Sequence, residues 1–92
     1  MIRSFGDKDT EKLYNQNDVR KFRAIERRAR RKLEMLDAAQ ILSDLRVPPG
    51  NRLEALKGDR RGQYSIRIDK QWRIVFLWSD AGPTHVSIVD YH

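Results

Sequence analysis

The sequence predicts an α+β domain, with N-terminal helices packed on a small antiparallel sheet. Three observations carry this expectation. Phe22, Ile25, Ala29, Leu33 and Leu36 step by three or four residues, the spacing that puts apolar side chains on one helix face. Tyr64–Ile68 and Trp72–Trp78 instead alternate with period two, as half-buried strands do. Between the two regimes stands Val47-Pro48-Pro49-Gly50-Asn51, where paired prolines end a helix and Gly-Asn favours a turn. Helices first and strands after is an α+β order.

Ile2 to Phe5, apolar at both ends, is expected to form an edge strand. Asp7 is a helix cap, and a short helix from Lys8 to about Tyr14 follows, anchored by Leu13 and Tyr14. Asp18 is the next cap candidate, opening the long amphipathic helix. The face opposite its apolar stripe carries Arg20, Arg23, Arg27, Arg28, Arg30 and Arg31. That face reads either as a solvated surface with Glu26 and Glu34 as pairing partners, the more ordinary case, or as a phosphate-facing stripe. Asp37 is placed to cap a further helix, Ala38 to Leu45, with Ile41, Leu42 and Leu45 on its buried face. After the strand pair, Ser79-Asp80-Ala81-Gly82-Pro83 is a turn, and a last strand runs from His85 to about Asp90 with Val86, Ile88 and Val89 as its apolar members.

Composition bounds the function. The chain has 92 residues, enough for one core, so residues 1–92 are read as a single domain. Cysteine is absent, which removes disulfides and Cys-based zinc sites. Two histidines with scattered carboxylates match no metal-ligand spacing, and neither a metal nor a cofactor is expected. No apolar run is long enough to span a bilayer, and Met1-Ile2-Arg3-Ser4-Phe5 lacks the apolar region of a signal peptide; a cytoplasmic protein without membrane contact is the expectation. Nineteen Lys and Arg against 13 Asp and Glu give a net charge of +6, which favours phosphate-bearing partners or an acidic protein.

The strand pair carries the most chemistry. With Asp69-Lys70-Gln71 as a three-residue loop, Ile68 faces Trp72, Ile66 faces Ile74 and Tyr64 faces Phe76, so every apolar pair falls on one face. A loop one residue shorter or longer spoils that face, so the pattern selects this register. The same register sets Arg67 opposite Arg73. Opposed like charges in a sheet cost about 0.2–1 kcal/mol. Either both guanidinia splay into water, or they clamp a phosphate through paired hydrogen bonds. Lys57-Gly58-Asp59-Arg60 adds positive charge from a loop just upstream. At the C-terminus, Asp90 and His92 share a strand parity, which lets the carboxylate orient the imidazole for proton transfer, while Tyr91 falls on the reverse side.

At these residues the chain resembles the HigB-type toxins of the RelE/ParE superfamily, the toxin half of bacterial toxin–antitoxin pairs. The resemblance runs essentially end to end. It includes Met1–Phe5, Arg31-Lys32-Leu33, Leu36-Asp37-Ala38-Ala39, Pro48 through Leu56, Gly58-Asp59-Arg60, Gln63 through Arg67, Gln71-Trp72-Arg73-Ile74 and the closing Val89-Asp90-Tyr91-His92. It implies a RelE-like microbial-ribonuclease fold and a ribosome-dependent, metal-independent mRNA endonuclease that arrests translation and growth. The family's functional positions fall on Lys57, Arg73, Asp90, Tyr91 and His92. Arg67 joins them from the hairpin register, and Arg60, Arg27 and Arg31 complete the candidate phosphate contacts. Glu54 stands where some family members have histidine and is a further acid–base candidate. The implied partners are the ribosome and mRNA, a HigA-type helix-turn-helix antitoxin, and operator DNA through that antitoxin. ParE-type relatives act on DNA gyrase without cutting RNA, so a non-nuclease toxin is the alternative class, and a co-repressor of its own operon a third.

Overall fold

In the computed structural model, which describes residues 1–91, the first helix forms where its cap directs it. Helix α1 spans Lys8–Tyr14, and the Asp7 carboxylate accepts the Thr10 N–H at 2.7 Å. Leu13 and Thr10 are its buried residues.

The next helix starts later than expected. Asp18 is not its cap; its carboxylate is held by Arg23, whose Nε lies 3.0 Å from Oδ1. A 3-10 turn at Arg20–Phe22 intervenes, and α2 spans Glu26–Ala38. The apolar set is the predicted one, with Phe22, Ile25, Ala29, Leu33 and Leu36 all buried. Arg30 reaches back to α1, its Nε and Nη2 donating to the Leu13 and Asn17 carbonyl oxygens at 3.0 Å each, while Nη1 pairs with Glu26. It ties α2 to the end of α1 and to the loop that follows it.

Asp37 does not cap a helix over Ala38 to Leu45. It lies inside α2 and accepts the Ile2 N–H at 2.7 Å. The segment forms a 3-10 turn at Leu42–Arg46, whose Asp44 reaches back to accept the Gln40 and Ile41 N–H groups at 2.9 and 3.2 Å. Leu45 is buried there, but Ile41 is 59% exposed and forms no part of the core. Asn51, fully buried, ties this region to α2: its Nδ2 donates to the Leu45 carbonyl oxygen at 3.1 Å, and its Oδ1 accepts from Lys32. Burial, then the neighbouring Arg31, holds the Lys32 ammonium below the usual lysine range.

The sheet has four antiparallel strands in the order β1 (Glu54–Ala55), β2 (Tyr64–Arg67), β3 (Trp72–Ser79) and β4 (Gly82–Asp90). The short β1 was not expected, and β4 begins at Gly82 rather than His85. The β2–β3 register is the one the apolar pattern selects, with Tyr64↔Phe76, Ile66↔Ile74 and Arg67↔Arg73 as partners. Ile66, Ile74, Phe76 and Ile88 join the helix residues in one core. By strand alternation the other face carries Ser65, Arg73 and Val89, with Glu54 opposite Ser65. Between Val75↔Ser87 and Leu77↔Thr84, β4 holds one residue more than β3. His85, in the left-handed region at φ 54°, accommodates that bulge.

Residues 2–5 do run along the outer edge of β4, but in parallel and with a single bridge, Phe5↔Val86. Arg3 N–H donates to the Pro83 carbonyl oxygen at 2.8 Å, His85 N–H to Ser4 Oγ at 2.9 Å, and Gly6 N–H to the Val86 carbonyl oxygen at 2.8 Å. Further along, Ile88 N–H donates to Thr10 Oγ1 at 2.9 Å. These contacts cover an edge that would otherwise invite pairing with another chain. At Gly82 (φ 122°) a Cβ would stand 2.4 Å from the Met1 carbonyl oxygen, so only glycine permits the approach. Among the described residues, no helix is long and apolar enough to cross a membrane.

Candidate active site

Arg73 is the second residue of β3, on the sheet face turned away from the helices. Its side chain is only 15% exposed. Nη1 donates to Ser65 Oγ at 2.9 Å and lies 3.2 Å from Glu54 Oε1. The Tyr91 ring covers the guanidinium, with its centroid 4.9 Å from Cζ, a cation–π contact. Backbone pairing puts Tyr91 there: its N–H donates to the Gln71 carbonyl oxygen at 2.6 Å, continuing the ladder past the end of β4. A planar guanidinium fork, in contact with an aromatic ring and mostly out of water, suits an anionic oxygen cluster such as a phosphate.

Residues 3–92 match the family described as RelE-like toxin of type II toxin-antitoxin system HigB. The chain belongs to this family. It is 48% identical over 82 residues to Toxin HigB-1 of Vibrio cholerae, covering 87% of this chain and 86% of that protein. It is 30% identical over 93 residues to Endoribonuclease HigB of Proteus vulgaris, covering both proteins in full. In fold it is similar to a chain of the YoeB-YefM complex from Staphylococcus aureus, with a TM-score of 0.63 at 18% identity over 100% of this chain and 98% of that one.

Of the positions expected to be functional in a HigB-like toxin, the structure gathers Arg73, Glu54 and Tyr91. Asp90 pairs opposite Trp72 and therefore has the opposite parity to Arg73 and Tyr91; its Oδ2 accepts from Gln71 Nε2 at 3.1 Å. His92, and with it the expected Asp90–His92 pairing, lies outside the described residues. Lys57 is exposed just before a 3-10 turn at Gly58–Arg60 and lines a shallow pocket with Leu56, Gly58 and Arg61. Arg60 donates from Nη1 to Gln63 Oε1 at 3.3 Å.

Arg67 stands opposite Arg73 in register, yet its Nε donates to the Asp69 carbonyl oxygen at 3.0 Å, which engages it with its own hairpin loop. Arg27 and Arg31 are exposed on α2 and line a cleft with Arg23, Glu26, Arg30 and Glu34, in the helical layer rather than beside Arg73. Arg28, also on α2, instead reaches the hairpin loop, 3.9 Å from Asp69 Oδ2. Among the described residues, no group of three or more His, Cys, Asp or Glu is arranged to hold a metal ion.

Three supporting residues escaped the sequence reading. Ser65 is fully buried and anchors Arg73, but a lone serine in a strand gives no signal. Gln71 holds both Asp90 and the Tyr91 backbone. Asp69 organises the hairpin loop by accepting the Gln71 and Trp72 N–H groups at 2.8 Å each. Desolvation pulls its pKa upward, but the N–H donors of Trp72 and Gln71, helped by Arg28 and Arg67, hold its carboxyl below the usual aspartate range. An aspartate followed by two such donors is an Asx turn, and that signal was legible.

Proposed function

We propose that the chain is a ribosome-dependent endoribonuclease that cuts mRNA, with Arg73 at the reaction centre. The observation that carries this reading is the Arg73 guanidinium, mostly buried, anchored by Ser65 and covered by Tyr91 on the open sheet face. Its full-length similarity to Endoribonuclease HigB supports the same reaction class.

RNA cleavage by its own 2′-hydroxyl requires a base for that hydroxyl, positive charge on the phosphorane, and a proton for the departing 5′-oxygen. Arg73 supplies the charge, the term usually largest in such reactions; Lys57 and Arg60 add to it from the segment after β1, and Arg67 from the end of β2. Arginine and lysine thereby take the electrostatic part, and the scheme uses no metal or cofactor. His92 transfers protons and Asp90 orients it; Tyr91 stacks on a base or positions it. So few acid–base groups suit an enzyme whose substrate is aligned by the ribosome. Arg27 and Arg31 contact phosphates elsewhere on that assembly.

Residues 1–92 act as one toxin domain in the cytoplasm. Membership of a toxin–antitoxin family supports an antitoxin partner. We assign that partner to the HigA type, which brings operator DNA to the complex, and the basic toxin complements an acidic antitoxin surface. Alanine at Arg73 and at His92, each introduced singly, is expected to relieve growth arrest on expression. Mapping transcript 5′ ends after brief expression of the parent is expected to show in-frame cuts within translated codons. Toxicity retained by both variants would sink the assignment, and arrest with intact transcripts would point to a gyrase-type target instead.

A further inference from the structure

We propose that Glu54 is the resident counter-ion of Arg73 and that the RNA phosphate displaces it on binding; the inference rests on the reading of Arg73 as the phosphate-binding residue. Among the described residues, Ser65, Tyr91 and Glu54 touch the guanidinium, and they differ in their freedom to leave. Ser65 is fully buried in the middle of the β1–β2–β3 sheet and is neutral, so it stays. Tyr91 is neutral and meets the guanidinium through its ring, whose centroid lies 4.9 Å from Cζ, so it does not compete with an anion for the N–H groups. Glu54 is 48% exposed and sits on a two-residue strand at the sheet edge, with its Oε1 3.2 Å from the Nη1 that Ser65 already occupies.

A phosphate seeks the same N–H groups that a carboxylate does, by the same paired geometry. A phosphate paired with the same guanidinium stands beside the Glu54 carboxylate and sets two anions against each other, and Glu54 has solvent to swing into. Binding at Arg73 is therefore an exchange of anions. The resting site has low affinity for loose phosphates and yields to a strand that is held in place by other contacts. Partly exposed ion pairs of this kind are worth about fivefold in an equilibrium constant at most.

The test uses the full chain and an uncleavable oligoribonucleotide that is 2′-O-methylated throughout, with the dissociation constant measured at low salt. Glu54→Gln keeps the shape and one acceptor for Arg73 while removing the charge. It is expected to bind the probe about fivefold tighter. Glu11→Gln, an equal charge change on α1, is expected to bind within about 1.5-fold of the parent.

Equal or weaker binding by Glu54→Gln overturns the proposal, as does an equal gain from Glu11→Gln. Glu54 acting as a base for the 2′-hydroxyl gives the first of these results, because the probe has no such hydroxyl. Arg73→Gln separates the two levels of inference. If it binds the probe as the parent does, the reading of Arg73 itself fails and the proposal with it. If it loses binding and Glu54→Gln shows no gain, only the counter-ion role fails.

Discussion

Replacing Ser65 by alanine is expected to weaken catalysis more than folding. Ser65 Oγ is fully buried and takes one hydrogen bond, from Arg73 Nη1 at 2.9 Å. A hydrogen bond to a charged group is worth about 1.5–3 kcal/mol when its loss leaves the charge unpaired. Here Nη1 keeps Glu54 at 3.2 Å, so the folded state of Ser65→Ala should lose nearer about 1 kcal/mol, or roughly 4–8 °C in Tm for a chain of this size. In the RNA complex Glu54 has left, and Ser65 is the group still orienting Nη1. The loss there should reach about 1.4–2 kcal/mol, a ten- to thirtyfold fall in kcat/KM. Single-turnover cleavage of a programmed mRNA on ribosomes, run beside urea denaturation, measures both. Cleavage within about twofold of the parent, with stability lowered as expected, would refute the anchoring role and leave Ser65 as a packing residue.

Arg67→Ala is expected to cost at most about threefold in cleavage, against a hundredfold or more for Arg73→Ala, because Arg67 is engaged with the Asp69 carbonyl oxygen; the same kinetics decide it. Thr10→Val should destabilise by about 2 kcal/mol, since the buried Ile88 N–H loses its acceptor, and amide exchange at Ile88 should accelerate alongside the shifted denaturation midpoint. Asp69→Asn tests the depressed carboxyl. A group with its folded pKa below its unfolded value stabilises fully above the latter and loses that contribution as pH falls through the former. The variant should therefore be less stable than the parent at neutral pH by about 1 kcal/mol, with the gap closing below roughly pH 4; a gap constant from pH 7 to 3 would exclude the charge as its source.

The hairpin was legible in the sequence because strand alternation is local and strict: one register buries Ile66, Ile74 and Phe76 together, and that register sets Arg67 opposite Arg73. Helix α1 was legible for a like reason, its cap lying three residues from the N–H it accepts. Asp18 and Asp37 misled because a capping aspartate is equally a partner for anything cationic or any free N–H nearby. Arg23 took the first and the Ile2 backbone the second. Of the site, Arg73 came from the hairpin register and from resemblance and Tyr91 from resemblance, while their contact came only from the fold, since eighteen positions of chain separate residues that pairing brings together. The arginine face of α2 was legible as a charge pattern. That Arg30 serves α1 depends on an interhelical contact that no periodicity encodes.

The seam between residues 3–10 and β4 bears on how the protein is made. Early residues find their partners much later in the chain, across 81 positions for His85 with Ser4 and 78 for Ile88 with Thr10. Contacts so distant in sequence form late, after the loop-closure entropy between them has been met. Until β4 arrives, the N-terminal edge has nothing to lie on and Tyr91 cannot cover Arg73. A chain that stops short of β4 thus carries the arginine without the Tyr91 cover, and on the proposed reading of Arg73 it is inert. Chains ending before Gly82 should be harmless when expressed, which a growth assay with nested stop codons would show directly.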